Sequence, residues 1–270
     1  MSLSQHTSLD VRTEQQIANA ENYLLPFLDT AGGIQAGHYV MEIGCGEGGV
    51  LHPVIAKGAR VLGVDLNDRR IQYARERFAD HIATGKADFV TQNVYDESFL
   101  ETYRGQFDWI MLKDTIEHIP EQEKFIPYIL QLLKPGGKIF FGFPPWRMPF
   151  GGHQQICQHK LLSKLPYVHL LPRPIYRGII SAFGEREAVK KELLELKDSG
   201  ISIGRFERIA RQTGLEILAR NLYLFNPIYK YKFGLEARKQ AAWLVGLPWV
   251  RDFFTTCAWY VVGKSRPKQG

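Results

Sequence analysis

Two carboxylates stand on either side of a glycine-rich turn near the beginning of the chain. Glu42 lies near the end of the apolar run that begins at Val40, and this run leads into Gly44 and Gly46. Asp65 ends the next apolar run. Glycines let the backbone approach a ligand closely, and an acid at the end of a second strand can accept hydrogen bonds from ribose hydroxyls. This spacing predicts a nucleotide-cofactor site.

The segments around these residues predict alternating strands and helices. Short β-branched or aromatic runs are separated by helical stretches and by turns rich in glycine, and this alternation is typical of an α/β protein with a mostly parallel sheet. A further buried run follows the Pro135-Gly136 turn. We expect a helix at residues 50–57 and strands at residues 40–43, 60–64, 88–92 and 107–112.

Glu42 helps to distinguish between the cofactors that such a turn can bind. Gly44, Gly46 and Gly49 also satisfy the loose dinucleotide pattern G-x-G-x-x-G. A dinucleotide would place its pyrophosphate at the following helix N-terminus, where the Glu42 carboxylate would repel it. S-adenosylmethionine instead carries a sulfonium and an ammonium group. Glu42 therefore favours the methyl donor over NAD and disfavours an NAD-dependent oxidoreductase.

The segment Glu42-Ile43-Gly44-Cys45-Gly46-Glu47-Gly48 resembles the E/D-x-G-x-G-x-G motif of the class I S-adenosylmethionine-dependent methyltransferases. Glu117-His118 and Lys134-Pro135-Gly136-Gly137 follow in the order of that family. The resemblance covers residues 40–143 strongly and 202–264 more weakly. It implies a Rossmann-like α/β sheet, mostly parallel with an antiparallel last strand, and S-adenosyl-L-methionine as cofactor.

The resemblance also implies a set of cofactor-binding residues. Asp65 corresponds to the acid that holds the ribose, and Asn93 stands where such enzymes often carry Asp beside the adenine. The Asn93 side-chain carbonyl can still accept a hydrogen bond from an exocyclic amine. The complete predicted set is Glu42, Gly44, Cys45, Gly46, Asp65, Leu66, Asn93, Val94, Lys113 and His118.

The order of elements also indicates which segments are additions to this core. We expect a helical cover at residues 1–37, with an amphipathic stretch from Val11 to Leu28, and a core at 38–143 and 201–265. The last core strands are expected at 215–224 and 253–262. Two cap insertions, 144–200 and 227–251, should hold the acceptor, because open α/β sheets bind ligands beyond the carboxyl ends of their strands.

Histidines of the first insertion are the candidate catalytic residues. His153, in a Gly-Gly-His loop, is the favoured base or acceptor ligand, and His169 is the second candidate. A structural role for either histidine remains an alternative. His153, Cys157 and His159 make a poor zinc pattern, and no acidic pair with an Asn at suitable spacing indicates magnesium. The sequence therefore predicts no metal ligands and a metal-independent reaction.

Charge and aromatic content raise two alternative partners. The chain has a net charge of +6 and a pI near 9.1. Phe143-Pro144-Pro145-Trp146 is superficially similar to the motif of nucleic-acid amine methyltransferases. It lacks the polar first residue, however, and it follows the fifth strand rather than the fourth, so nucleic acid is disfavoured. The basic, aromatic stretch from Tyr229 to Trp249 leaves peripheral membrane contact open.

The remaining features are typical of a cytoplasmic enzyme. We find no apolar run of about 18 residues and no secretory pattern at the N-terminus. Three widely spaced cysteines indicate neither a disulfide framework nor a metal site, and nothing points to an obligate protein partner. The sequence thus predicts methyl transfer to a small-molecule acceptor, most simply at oxygen. A Rossmann-like protein that binds its ligand without catalysis is the rival interpretation.

Overall fold

The computed structural model describes residues 9–264, which form an eight-stranded sheet flanked by helices. The strand order is β3-β2-β1-β4-β5-β8-β6-β7. The strands are β1 (Tyr39–Ile43), β2 (Arg60–Asp65), β3 (Ala87–Thr91), β4 (Phe107–Lys113), β5 (Leu133–Phe143), β6 (Leu215–Phe225), β7 (Arg238–Lys239) and β8 (Cys257–Lys264).

Helices lie on both faces of this sheet and in the two insertions. The α-helices are α1 (Leu9–Asn19), α2 (Leu25–Asp29), α3 (Leu51–Ala56), α4 (Asp68–Arg77), α5 (Ala79–Ala83), α6 (Glu97–Tyr103), α7 (Gln122–Ile129), α8 (Arg173–Ala182), α9 (Glu187–Ser199), α10 (Ile203–Gln212), α11 (Ile228–Phe233), α12 (Ala242–Val245) and α13 (Val250–Phe253). A π-helical turn, Ala20–Leu24, joins α1 to α2, and 3₁₀ turns form at Ile116–His118, Gln154–Ile156, Leu162–Lys164 and Val168–Leu170.

Strands β1 to β5 pair in parallel, and β8 runs antiparallel to both of its neighbours, β5 and β6. Every residue of β1 is buried, as expected for a central parallel strand covered on both faces. The predicted α/β sheet with an antiparallel last strand is therefore confirmed. The carboxyl ends of β1, β2, β3 and β4 lie at one edge, so the loops that follow them meet there.

The end of the chain differs from the sequence prediction in two details. The last strand was expected to begin at Phe253 but begins at Cys257, because residues 250–253 form α13. Arg251 of that helix is buried and pairs with Glu207 of α10 at 2.5 Å, which ties the helix to the core. The short strand β7 was not predicted, and it extends the sheet beyond β6.

The amphipathic N-terminal stretch folds as α1, the π-helical turn and α2. Gln15 of α1 donates a side-chain hydrogen bond to the Tyr231 carbonyl at 3.2 Å, and the Tyr231 hydroxyl donates to the Ala18 carbonyl at 3.0 Å. The N-terminal cover therefore packs against α11 of the second insertion. Residues 1–8 of the predicted cover and residue 265 of the predicted core lie outside the described residues.

The first insertion has a small hydrophobic core of its own. Its buried side chains are those of Cys157, Leu162, Tyr176, Ile180 and Leu193. The Trp146 N–H donates a hydrogen bond to the Ile201 carbonyl at 2.8 Å. This bond joins the two ends of the insertion next to the sheet. Within residues 9–264, none of the helices is both long and apolar enough to cross a membrane.

Candidate active site

Two adjoining pockets lie at the carboxyl edge of the sheet. The larger has a volume of about 580 Å³, and six of the predicted cofactor residues line it: Gly44, Asp65, Leu66, Asn93, Val94 and His118. The smaller, of about 80 Å³, is lined by Glu42, Cys45 and Lys113 and again by Gly44. The structure thus brings nine of the ten predicted residues to one place, and the tenth, Gly46, acts through its backbone.

Asp65 is held in a fixed position by the turn that it faces. Its Oδ2 accepts a hydrogen bond from the Gly46 N–H at 2.8 Å, and its Oδ1 accepts one from the Asn67 N–H at 2.9 Å. The Asn67 side chain in turn caps α4 by accepting from the Arg70 N–H at 3.2 Å. A carboxylate has about four lone-pair sites, so Asp65 retains capacity for a ligand's hydroxyl groups.

The glycine turn leaves no room for side chains at its two central positions. Gly44 and Gly46 have φ values of 74° and 54°. A Cβ at Gly44 would lie 2.4 Å from the Thr115 hydroxyl oxygen, and one at Gly46 would lie 2.2 Å from the Arg70 guanidinium. The glycines are therefore required both by backbone conformation and by close approach.

Two arginines that the sequence analysis did not identify border this turn. Arg70 makes a two-point hydrogen bond to the buried Glu47 carboxylate, at 2.9 and 3.0 Å, and lines both pockets. Arg12, from the N-terminal cover, lines both pockets as well and lies 3.7 Å from Glu47. The signal in the sequence was Glu47, an acid inside a glycine turn that requires a cationic partner when it is buried.

Glu42 presents a buried carboxylate to the smaller pocket. Its Oε2 has no hydrogen-bond partner in the described part of the chain. Burial raises the pKa of Glu42 to about 8, although the nearby Lys113 ammonium lowers it in part. Lys113 is itself paired with Asp114 at 2.5 Å. A cationic ligand group in this pocket would therefore find a carboxylate that lacks a close partner.

The larger pocket has an apolar side suited to a flat aromatic ligand. Val94 is buried, whereas Leu66 is 72% exposed at the pocket mouth. The Tyr95 and Phe125 rings pack at 5.6 Å between centroids and line the same pocket. Asn93 Oδ1 already accepts the Tyr95 N–H at 3.0 Å, and its second lone pair remains for a ligand.

His153 lies beside the larger pocket rather than in its wall. Its ring packs against His118, with centroids 5.1 Å apart, and His118 lines the pocket. Burial, with a smaller contribution from His118, lowers the pKa of His153 to about 4. Glu117 is buried next to this pair, and its Oε1 lies 3.9 Å from His118 Nε2. No spacing in the sequence relates these three side chains to one another.

His169 lies inside the first insertion, away from both pockets. It is fully buried, and Gln154 and the Trp146 carbonyl occupy its ring nitrogens at 2.7 and 2.6 Å. Burial lowers its pKa to about 4. A Cβ at Gly152 would lie 2.3 Å from the Cβ of His169. This placement favours a structural role, in which His169 supports the loop that carries His153.

Residues 41–139 match a family profile described as a methyltransferase domain. The chain is 32% identical over 117 residues to a ubiquinone biosynthesis O-methyltransferase of Aromatoleum aromaticum, covering 43% of this chain and 48% of that protein. It is 26% identical over 200 residues to the protein of the same name from Azoarcus sp., covering 72% and 71%. The chain spans about half the length of most of these curated relatives.

Solved structures show the same fold at low sequence identity. A geranyl diphosphate methyltransferase in complex with SAM matches with a TM-score of 0.57 and 14% identity, covering 92% of this chain and 85% of that one. The magnesium protoporphyrin IX methyltransferase of Synechocystis matches with a TM-score of 0.56 and 16% identity, covering 98% and 88%. Residues 41–139 thus resemble a methyltransferase domain, and the chain shares its fold with these solved methyltransferases.

Proposed function

We propose that this protein transfers the methyl group of S-adenosylmethionine to a hydroxyl oxygen of a small-molecule acceptor. The observation that carries the proposal is the arrangement of Glu42 and Asp65 around Gly44, which lines both pockets. Asp65 is placed to accept hydrogen bonds from the ribose hydroxyls. Glu42, buried in the smaller pocket, complements the ammonium group of the methionine portion.

The apolar side of the larger pocket accounts for the rest of the cofactor. The adenine would lie between Leu66 and Val94, with the Asn93 amide oxygen within reach of its exocyclic amine. The relatives and solved structures named above support this assignment, since one of those structures contains SAM. Titration calorimetry with S-adenosylhomocysteine and with NAD tests it directly.

The reaction is a displacement in line with the carbon–sulfur bond. The acceptor oxygen forms a bond to the methyl carbon while the bond from that carbon to sulfur breaks, and the electron pair of the broken bond remains on sulfur. S-adenosylhomocysteine leaves as a neutral thioether, and the hydroxyl proton passes to a base or to water. Fixing the acceptor oxygen behind the methyl carbon supplies much of the rate advantage.

An oxygen acceptor is supported by the names of the curated relatives, which are O-methyltransferases. The fold alone does not select an acceptor, because the two solved structures act by their names on geranyl diphosphate and magnesium protoporphyrin IX. A transfer assay with labelled methyl donor, run on hydroxylated aromatic compounds, amines and thiols in parallel, tests the oxygen assignment. Label only in amines or thiols would contradict it, and label in no acceptor would favour a binding-only protein.

Peripheral membrane contact is a second candidate property of this protein. Trp243 and Trp249, in the second insertion, are 72% and 70% exposed. Arg147 of the first insertion lies over the Trp249 ring at 4.5 Å from its centroid. Exposed tryptophans beside cations are typical of surfaces that lie at a bilayer interface. Such contact would present a lipid-like acceptor to the site.

We place the protein in a reducing cytoplasmic compartment and assign it no obligate protein partner. Cys45, Cys157 and Cys257 are buried free thiols, which supports that compartment. Nucleic acid remains disfavoured as a substrate.

A further inference from the structure

Three side chains from two distant segments form a cluster beside the cofactor pocket. Glu117 and His118 lie on the 3₁₀ turn Ile116–His118 that follows β4, and His153 lies in the first insertion. One carboxylate oxygen and one nitrogen from each imidazole all lie within 4.8 Å of one another. We call these three side chains the Glu-His-His cluster. Only His118 of this cluster lines the larger pocket, and Glu117 and His153 have no role in the proposed cofactor binding.

The Glu117 carboxylate lacks the partner that its burial requires. Glu117 is only 3% exposed, and neither of its carboxylate oxygens has a hydrogen-bond partner among residues 9–264. A buried carboxylate without hydrogen bonds or a counter-charge is unfavourable, and buried charges in proteins are usually paired or coordinate a metal. The orphaned oxygens of Glu117 therefore indicate a cationic ligand.

The backbone around the cluster is held by contacts that do not involve the three side chains. The Ser199 hydroxyl donates to the Glu117 carbonyl at 2.7 Å, which fixes the 3₁₀ turn against α9. His153 has a left-handed backbone conformation, φ 55°, and the adjoining Gly152 packs on His169. Because His169 is locked by Gln154 and Trp146, the loop presents His153 to His118 from a rigid support.

We propose that Glu117, His118 and His153 bind one divalent transition-metal ion. Two imidazoles and one carboxylate suit zinc, iron, manganese or cobalt better than magnesium or calcium, which prefer oxygen ligands alone. Ligands around a tetrahedral zinc lie roughly 3 to 3.5 Å apart, given bond lengths near 2 Å. Small side-chain rotations would therefore close the cluster. This proposal departs from the expectation of no metal ligands and a metal-independent reaction.

The position of the cluster indicates what the metal would do. Three protein ligands leave a coordination position open, and because His118 lines the larger pocket, that position adjoins the space beside the cofactor. A hydroxyl bound there would be positioned and made more acidic by the ion. This catalytic role rests on the proposed function, whereas metal binding by the cluster does not.

The test is calorimetric titration of the chelator-stripped protein with zinc chloride and, separately, manganese chloride. We expect one ion per chain, and Glu117→Gln and His153→Ala should each weaken binding by at least roughly tenfold, the smallest loss seen even for groups that only support a ligand. Glu117→Gln preserves side-chain shape. His159→Ala, which changes an exposed histidine of the same insertion, should leave the affinity unchanged. Circular dichroism verifies that each variant is folded.

Two results would overturn the metal site: no saturable binding of either ion, or equal affinities for the folded wild-type protein, Glu117→Gln and His153→Ala. If His159→Ala weakened binding as much as Glu117→Gln and His153→Ala do, the metal site would also be overturned, because the loss would not be specific to the cluster. A parallel titration with S-adenosylhomocysteine in the presence of chelator keeps the two proposals separate. Zinc binding without S-adenosylhomocysteine binding refutes the proposed function alone, and the reverse result refutes the metal site alone.

Discussion

Gly46 donates its backbone N–H to Asp65 Oδ2 at 2.8 Å, so the glycine turn and the acid that follows the second strand form one unit. The turn proposed to receive the methionine portion and the carboxylate proposed to receive the ribose are therefore linked directly. Arg70 reinforces the unit, because its guanidinium packs over Gly46 while it pairs with Glu47.

Replacing Asp65 with alanine should weaken S-adenosylhomocysteine binding by about 1.5 to 3 kcal/mol, the range for hydrogen bonds to a charged group. The ribose loses its acceptor, and the Gly46 and Asn67 N–H groups lose theirs. Calorimetry on the folded variant measures the change. Asp80→Ala removes an exposed carboxylate outside the site and serves as the control. Equal affinity in Asp65→Ala and the wild-type protein would refute the ribose assignment.

Gly44→Ala and Gly105→Ala form a matched pair that separates backbone strain from site geometry. Both residues have positive φ, 74° and 67°, so the backbone conformation alone should cost each substitution about 1 to 2 kcal/mol of stability. Only the Cβ at position 44 meets a neighbour, Thr115, which lines the larger pocket. We expect Gly44→Ala to lose cofactor binding and Gly105→Ala to retain it. Equal loss or equal retention in the two folded variants would mean that the turn does not contact the cofactor.

Cofactor affinity should depend on the protonation of Glu42. Its pKa is raised to about 8 in the free protein, so below that pH the carboxyl is mostly protonated. A bound ammonium group favours the charged form, so binding releases a proton and affinity rises with pH, by about tenfold per unit at most. Calorimetric titrations at pH 6 to 7.5 measure the change in affinity, and repeating them in two buffers of different ionisation enthalpy measures the number of protons released. In Glu42→Gln the pH dependence should largely disappear, and persistence of the full slope would exclude Glu42 as its source.

The same raised pKa has a consequence for stability in the absence of ligand. The folded state holds the Glu42 proton more tightly than the unfolded state does, so this residue's contribution is most favourable below pH 4.5 and is lost as the pH rises towards 8. Glu42→Gln cannot ionise, so we expect its melting temperature, relative to that of the wild-type protein, to be higher at pH 8 than at pH 5. Thermal denaturation of the free proteins measures this, and an unchanged difference would show that Glu42 titrates normally.

Salt-dependent sedimentation separates the alternative partners. Duplex DNA and structured RNA should bind the protein only weakly, despite its net charge of +6, and should not acquire the labelled methyl group. If the second insertion contacts a bilayer, anionic vesicles should pellet the wild-type protein and retain less of the Trp243→Ala/Trp249→Ala variant. Methyl incorporation into nucleic acid, with none into small molecules, would overturn the acceptor class and leave the cofactor assignment intact.

The core was predictable from the sequence because its signals are local. The strands that carry Glu42 and Asp65, β1 and β2, are apolar runs bounded by glycine-containing turns, and such runs indicate both the strand and its limits. The C-terminal region was less predictable, since α13 is stabilised by the Arg251–Glu207 ion pair between residues 44 positions apart. Before folding, the aromatic residues there could equally begin a strand.

The cofactor side of the candidate site was predictable, because its residues lie at the glycine turn and at the ends of neighbouring strands. The contacts that the first insertion makes with this region were not predictable. His153 meets Glu117 and His118 only because the first insertion, through Ser199 of α9, packs on the 3₁₀ turn that follows β4, and no spacing in the sequence records that contact. His169 is the converse case, because both of its ring nitrogens have partners inside the insertion, and the sequence does not reveal those partners.

Titration of the wild-type protein with S-adenosylhomocysteine and with NAD distinguishes a methyl-donor site from a dinucleotide site. We expect one saturable site for S-adenosylhomocysteine, much weaker binding of NAD, and competition by S-adenosylmethionine for the same site. Tighter binding of NAD, or no saturable binding of S-adenosylhomocysteine to the folded protein, would contradict the proposed methyl-donor site.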